Sequence, residues 1–172
     1  MLIIKNESEL KSSKIEPRPG FYILCLKRSI PKISNEDRNG ILYIGKSKNL
    51  ANRLVVLHRE KWQKKLSKKS PYTFDHSALT FSVDFKEDGE LVPTSNLIEN
   101  GILKPTDTLT LHIFYNENPS EKEKQLLLAH VKRFGQLPPF NSQGSSLKAI
   151  GEGDSLIIEN SSRYFDKIYQ CL

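Results

Sequence analysis

A chain of 172 residues is most simply one domain with room for a respectable core, and no stretch nears the ~20 apolar residues that a membrane-spanning helix needs. Its net charge of +6 is unevenly placed: residues 1–70 carry 17 Lys and Arg against 6 Asp and Glu, and the other 102 carry 9 against 14, so the basic half suits a polyanionic partner or a lysine-rich soluble surface. The two cysteines, Cys25 and Cys171, form no CxxC pair and no zinc spacing, which fits a reducing compartment and hence a cytoplasmic setting.

Residues 1–19 read as an N-terminal arm. Its apolar run, Leu2-Ile3-Ile4, is too short for a secretory signal. Glu16-Pro17-Arg18-Pro19 favours an extended approach to the first strand. That strand is Phe21-Tyr22-Ile23-Leu24-Cys25-Leu26, and Ile41-Leu42-Tyr43-Ile44 reads as a second, with Asn39-Gly40 as the turn before it. In a pleated strand Tyr22 shares a face with Leu24 and Leu26, and Phe21 takes the other. Either tyrosine alone is an ordinary strand aromatic. The connection from Lys27 to Asn39 is long and polar.

Residues 48–66 read as a helix whose apolar side includes Leu50, Leu54, Leu57 and Leu66. Arg53 sits on or beside that side, where a guanidinium needs an anion or acceptors; a structural salt bridge would also satisfy it. Arg59, Lys61, Lys64, Lys65, Lys68 and Lys69 then face one anion, Glu60. They are candidates, with Lys48, for sequence-blind phosphate contacts, and equally suit a solvated helix end. Residues 70–108 are less legible: Ala78 to Phe85 reads as a strand and Asp88-Gly89 as a turn, and the whole is taken as an insertion. Leu109 to Tyr115 is a further strand.

A second helix opens at Asn118-Pro119-Ser120-Glu121-Lys122-Glu123 and runs to about Phe134, ending at Gly135. Two caps compete. Either Asn118 caps with Pro119 at the first helical position and Glu121 reaching back, or Ser120 caps with Glu123 closing the box; the first is preferred and leaves Glu123 unengaged. On a wheel at ~100° per residue Glu123 falls roughly 50° from the centre of the apolar side and Glu121 roughly 110° away. A carboxylate near a buried face must be neutralised, capped or bound to a metal. The tail from Ser142 carries a Gly151-Glu152-Gly153 turn, an apolar Leu156-Ile157-Ile158 and an amphipathic Tyr164–Tyr169, suited to covering the core or to a subunit contact.

Gly20-Phe21-Tyr22, Tyr43-Ile44-Gly45-Lys46 and Arg53, with Glu123 ahead of Leu126 and Leu127, and Asn141 closing Gln136-Leu137-Pro138-Pro139-Phe140-Asn141, resemble the GIY-YIG nuclease family. Tyr43 to Leu54 is most similar to the incision nuclease of bacterial nucleotide excision repair. The resemblance covers residues 20–54 and about 121–141. It implies an α+β fold, a small mostly antiparallel β-sheet flanked by helices. The catalytic core would be 20–58 and 109–141, with 59–108 inserted and 142–172 a C-terminal extension. It implies a divalent-metal-dependent endonuclease acting on double-stranded DNA with Mg²⁺ or Mn²⁺. Tyr22, or else Tyr43, would be the base; Lys46 and Arg53 would supply positive field; Glu123 would be the metal ligand; Asn141 would order the site. The compact size suits a restriction-type or defence enzyme. A repair or mobile-element nuclease and a non-catalytic nucleic-acid-binding module are the alternatives, and RNA as substrate and a homodimer stay open. His58, five residues after Arg53, is a weak further candidate, and His76, His112 and His130 have no metal spacing.

Overall fold

Strand β2, Gly20–Leu26, is buried along its whole length, as an apolar run covered on both faces should be. The computed structural model describes residues 1–5, 9, 14–56, 72–76, 79–85, 90–93, 103–104, 106–141 and 155–172. It is an α+β chain. Four antiparallel strands form the main sheet in the order β1 (Leu2–Ile4), β9 (Leu109–Tyr115), β2, β5 (Ile41–Ser47). Between β2 and β5 lies a two-residue ladder of β3 (Ile30–Pro31) with β4 (Glu36–Asp37). Strands β6 (Tyr72–His76), β7 (Leu79–Phe85) and β8 (Leu91–Pro93) make a separate antiparallel sheet.

The pleat sorts the core into two layers. Tyr22, Leu24, Leu26, Leu111 and Ile113 point to one face, packing with Leu50, Leu54, Leu103 and Phe140. Phe21, Ile23 and Cys25 point to the other, under α1 (Pro119–Phe134) and α2 (Ser155–Tyr169), which contribute Leu126, Leu127, Phe134, Phe165 and Ile168. The amphipathic tail is therefore a core-covering helix. No helix among the described residues is long and apolar enough to cross a membrane.

Four sequence expectations are corrected. The N-terminal arm supplies β1, because Leu2-Ile3-Ile4 can pair with the exposed edge of β9. The connection 27–39 is not a plain loop: Arg28 grips Asp107 through two 2.7 Å bonds, and Asp37 is wholly buried. The helix expected over 48–66 begins at Leu50 but continues as a π-helical turn, Asn52–Val56; Leu57, Leu66 and the remainder to 66 lie outside the described residues, as do Asp88-Gly89 and Gly151-Glu152-Gly153. Finally, Asn118 makes no side-chain cap bond, although Pro119 does occupy the first helical position, and Glu121 is instead bonded by Gln125 Nε2 at 2.9 Å.

His112, on β9, is 3 % exposed and its Nδ1 has no hydrogen-bond partner. Burial, helped by the charge of Lys5, pushes its pKa down to about 4. An unfolded histidine takes up a proton near pH 6.5 and the folded one does not, so stability is full above that value and falls towards pH 4. Wild-type protein should lose on the order of 2 kcal/mol by this route. Denaturant melts of wild type and His112→Leu at pH 7 and pH 4.5 check it; equal losses in both would refute the assignment.

Candidate active site

In antiparallel register Tyr22 lies opposite Gly45, and Tyr43 opposite Leu24, so both rings emerge on the same face of neighbouring strands. Their centroids are 5.8 Å apart. Gly45 makes this possible. A Cβ there would stand 2.5 Å from Tyr43 Cε1 and 2.8 Å from the Tyr22 hydroxyl, inside any real contact. Gly20 is under similar constraint, since a Cβ would run into the Phe114 carbonyl and Leu50 Cδ1. Gly45 alone is space the tyrosines need, while Gly20 admits the Phe114 carbonyl and Leu50; glycine inside a strand was the available sequence signal, and as motif letters the two were not distinguished.

The π-helical turn follows β5 through a short polar hinge. Ser47 Oγ accepts the Asn49 amide at 3.0 Å, and Asn49 Oδ1 accepts that of Asn52 at 2.9 Å. Leu50 and Leu54 are thereby turned into the core, and half-buried Arg53 donates from Nε to the Tyr22 hydroxyl at 3.3 Å. The two tyrosine hydroxyls also bond each other in the sense that favours an ionised Tyr22 and disfavours an ionised Tyr43. Burial nevertheless raises both above the ordinary phenol value; Arg53 only offsets this in part, and the Glu123 charge adds to the rise. The positive field expected of Lys46 and Arg53 thus does not hold either phenol low in the chain alone, because desolvation of a phenolate outweighs one guanidinium.

Lys46 follows Gly45 on β5 and so turns to the helical face, where its Nζ lies 2.8 Å from Glu123 Oε2. Glu123 is 9 % exposed on α1, while Glu121 faces solvent; the helix phase read from the sequence holds. Glu123 acts on both tyrosines electrostatically, so the sheet edge is where the two faces meet. Among the described residues no three His, Cys, Asp or Glu side chains gather as a metal-ligand group, and Glu123 stands as a single carboxylate.

Asn141 closes the edge. Its Oδ1 accepts the Ile44 amide at 2.9 Å and its Nδ2 donates to the Ile44 carbonyl at 2.8 Å. One residue earlier, the Phe140 amide donates to the Leu42 carbonyl at 3.0 Å. An edge strand leaves such groups unpaired, so this segment stands in for a fifth strand and fixes the backbone on either side of Tyr43. Of the proposed phosphate contacts, Lys48 is exposed next to the start of α1. Arg59, Lys61, Lys64, Lys65, Lys68, Lys69 and His58 lie outside the described residues. The structure brings Tyr22, Tyr43 and Arg53 together on one face and Lys46 with Glu123 beside them, with Asn141 bracing the strand that carries Tyr43 and Lys46.

No family model, no curated protein and no solved structure matches the chain.

Proposed function

We propose that this chain is a GIY-YIG-type endonuclease that hydrolyses DNA phosphodiester bonds with one divalent metal. The observation that carries the reading is the Arg53 Nε bond to the Tyr22 hydroxyl, made within a tyrosine pair that Glu123 also influences. A strand aromatic needs no such partners, and a binding surface would not require two strands, a π-helical turn and α1 to converge on one phenol.

Tyr22 is the residue assigned to take the proton from the attacking water. Arg53 and Tyr43 both favour negative charge on its oxygen, whereas Tyr43 has its own hydroxyl committed in the opposite sense. Arg53 is placed to stabilise charge developing on the phosphate. Glu123 would hold Mg²⁺ or Mn²⁺. One partly buried carboxylate is a sufficient donor set for an ion that keeps most of its waters, and Lys46 now occupies the cationic position beside it. The metal would supply positive charge that lowers the pKa of nearby acids and stabilises the leaving oxygen. A restriction-type or defence role is the biological setting proposed with it.

Supercoiled plasmid incubated with the full chain should be cut in Mg²⁺ and left intact in EDTA. Arg53→Ala should cut at least ~100-fold more slowly, a loss typical of removing one transition-state donor, with an unchanged melting temperature. Cutting at the wild-type rate would remove Arg53 from the mechanism. A second reading, a non-catalytic nucleic-acid-binding module, is favoured by the burial that holds both phenols protonated. It predicts DNA binding with no metal-dependent cleavage in the same assay.

A further inference from the structure

A cavity of about 390 Å³ opens where the end of α2 approaches the far side of the main sheet. Its floor is Cys25, Thr110 and His112, which share the helical face of β2 and β9 with Ile3 of β1. Lys5, Lys27 and Arg38 stand around it. It shares no residue with the tyrosine–arginine cluster.

Charge is the first reason to regard it as a site. Lys27 is paired with Glu90 at 3.1 Å. Among the described residues Lys5 and Arg38 have no carboxylate partner for their side chains, and both are exposed at the rim. The second reason is His112, 3 % exposed, whose Nδ1 is buried without a partner. A buried polar atom left unsatisfied is costly, and Thr110 shares its face of β9 two residues away. The third is shape. The volume falls in the range of small-molecule sites, larger than a bare anion needs, and Ile3 and Leu172 give it an apolar wall.

We infer that this cavity binds a small organic phosphomonoester, its phosphate held by Lys5 and Arg38 and its organic part laid against Ile3 and Leu172. Arg38 offers the planar fork that suits phosphate oxygens, and Lys5 a point charge. The inference is independent of the nuclease reading.

Calorimetric titration of the full chain with adenosine 5′-monophosphate tests it, with adenosine and inorganic phosphate as separate arms and the His112 ring followed by NMR. The monophosphate should bind at one site, at least ~10-fold more tightly than either fragment, and should move the His112 ring resonances. Lys5→Gln with Arg38→Gln, both surface changes, should weaken binding at least ~10-fold, the scale of losing charge-assisted hydrogen bonds, and cancel the His112 response. Adenosine binding as tightly as the monophosphate would overturn the phosphate assignment, and inorganic phosphate binding as tightly would overturn the organic one. Monophosphate binding that leaves His112 unmoved and survives the double substitution would place the ligand elsewhere and end the proposal.

Discussion

On the proposed nuclease reading, replacing Glu123 with glutamine should lower plasmid cleavage by ~100- to 1,000-fold while leaving DNA binding and the melting temperature near wild type. The substitution keeps the shape of a side chain that is nine-tenths buried and removes only its charge. Lys46, its partner at 2.8 Å, is 42 % exposed and can be solvated when the pair is broken, so little stability depends on it. Glu121→Gln is the control. That residue is exposed and bonded to Gln125, away from the tyrosines, and should cut at the wild-type rate. Cleavage assays and thermal melts on both variants decide the matter. An active Glu123→Gln would remove the metal-ligand role, and an inactive Glu121→Gln beside it would transfer that role one helical face around.

Asp37→Ala costs about 3–4 kcal/mol, a large share of the ~5–15 kcal/mol that holds a domain together. Asp37 is wholly buried. Its Oδ2 accepts the Ile41 amide at 2.7 Å, and its Oδ1 accepts the Tyr169 hydroxyl at 3.0 Å and the Asn39 amide at 3.2 Å. One carboxylate therefore ties the start of β5 and the turn before it to the end of α2. Truncation leaves the buried Ile41 amide and the half-buried Tyr169 hydroxyl without this acceptor, while the Asn39 amide keeps the Tyr169 oxygen at 3.3 Å. Burial by itself would raise this carboxyl. The His130 imidazole, whose Nε2 lies 3.8 Å away and beyond hydrogen-bond reach, the Ile41 amide and the Tyr169 hydroxyl outweigh it, so its pKa is lowered. A lowered carboxyl contributes stability that is present above the unfolded value of ~3.9 and lost as pH falls through the folded one. Urea unfolding at pH 7 should show the deficit, and lowering the pH below ~4 should narrow the gap between wild type and variant. A deficit under ~1 kcal/mol at pH 7 would show that solvent reaches these donors.

Much of the fold can be read directly from the chain. Strand β9 occupies Leu109–Tyr115 and α1 occupies Pro119–Phe134, within a residue of what apolar pattern, Pro119 and Gly135 indicate. These signals are local: period, breaker and φ preference act over a few residues and need no partner. The same locality explains why Glu123 and Glu121 separate correctly on α1, since a regular helix fixes direction once its apolar side is known. It also explains the miss over 52–56. A π-helical turn differs from an α-helix by one residue per hydrogen bond, a difference that apolar spacing cannot register.

Sequence by itself determined which chemical groups exist and on which side of each element most of them stand: Tyr22 beside Leu24, Glu123 beside Leu126, Cys25 inward. Only the tertiary structure decided what they meet. Leu2–Ile4 becomes an edge strand because β9 has a free edge to fill. Asn141 reaches Ile44 across 97 positions, and Gly45 is required because two rings from different strands pass over it. The tyrosines' high pKa values likewise belong to the fold. Desolvation depends on everything packed around a hydroxyl, and that sum has no trace in the residues adjacent to it in the chain.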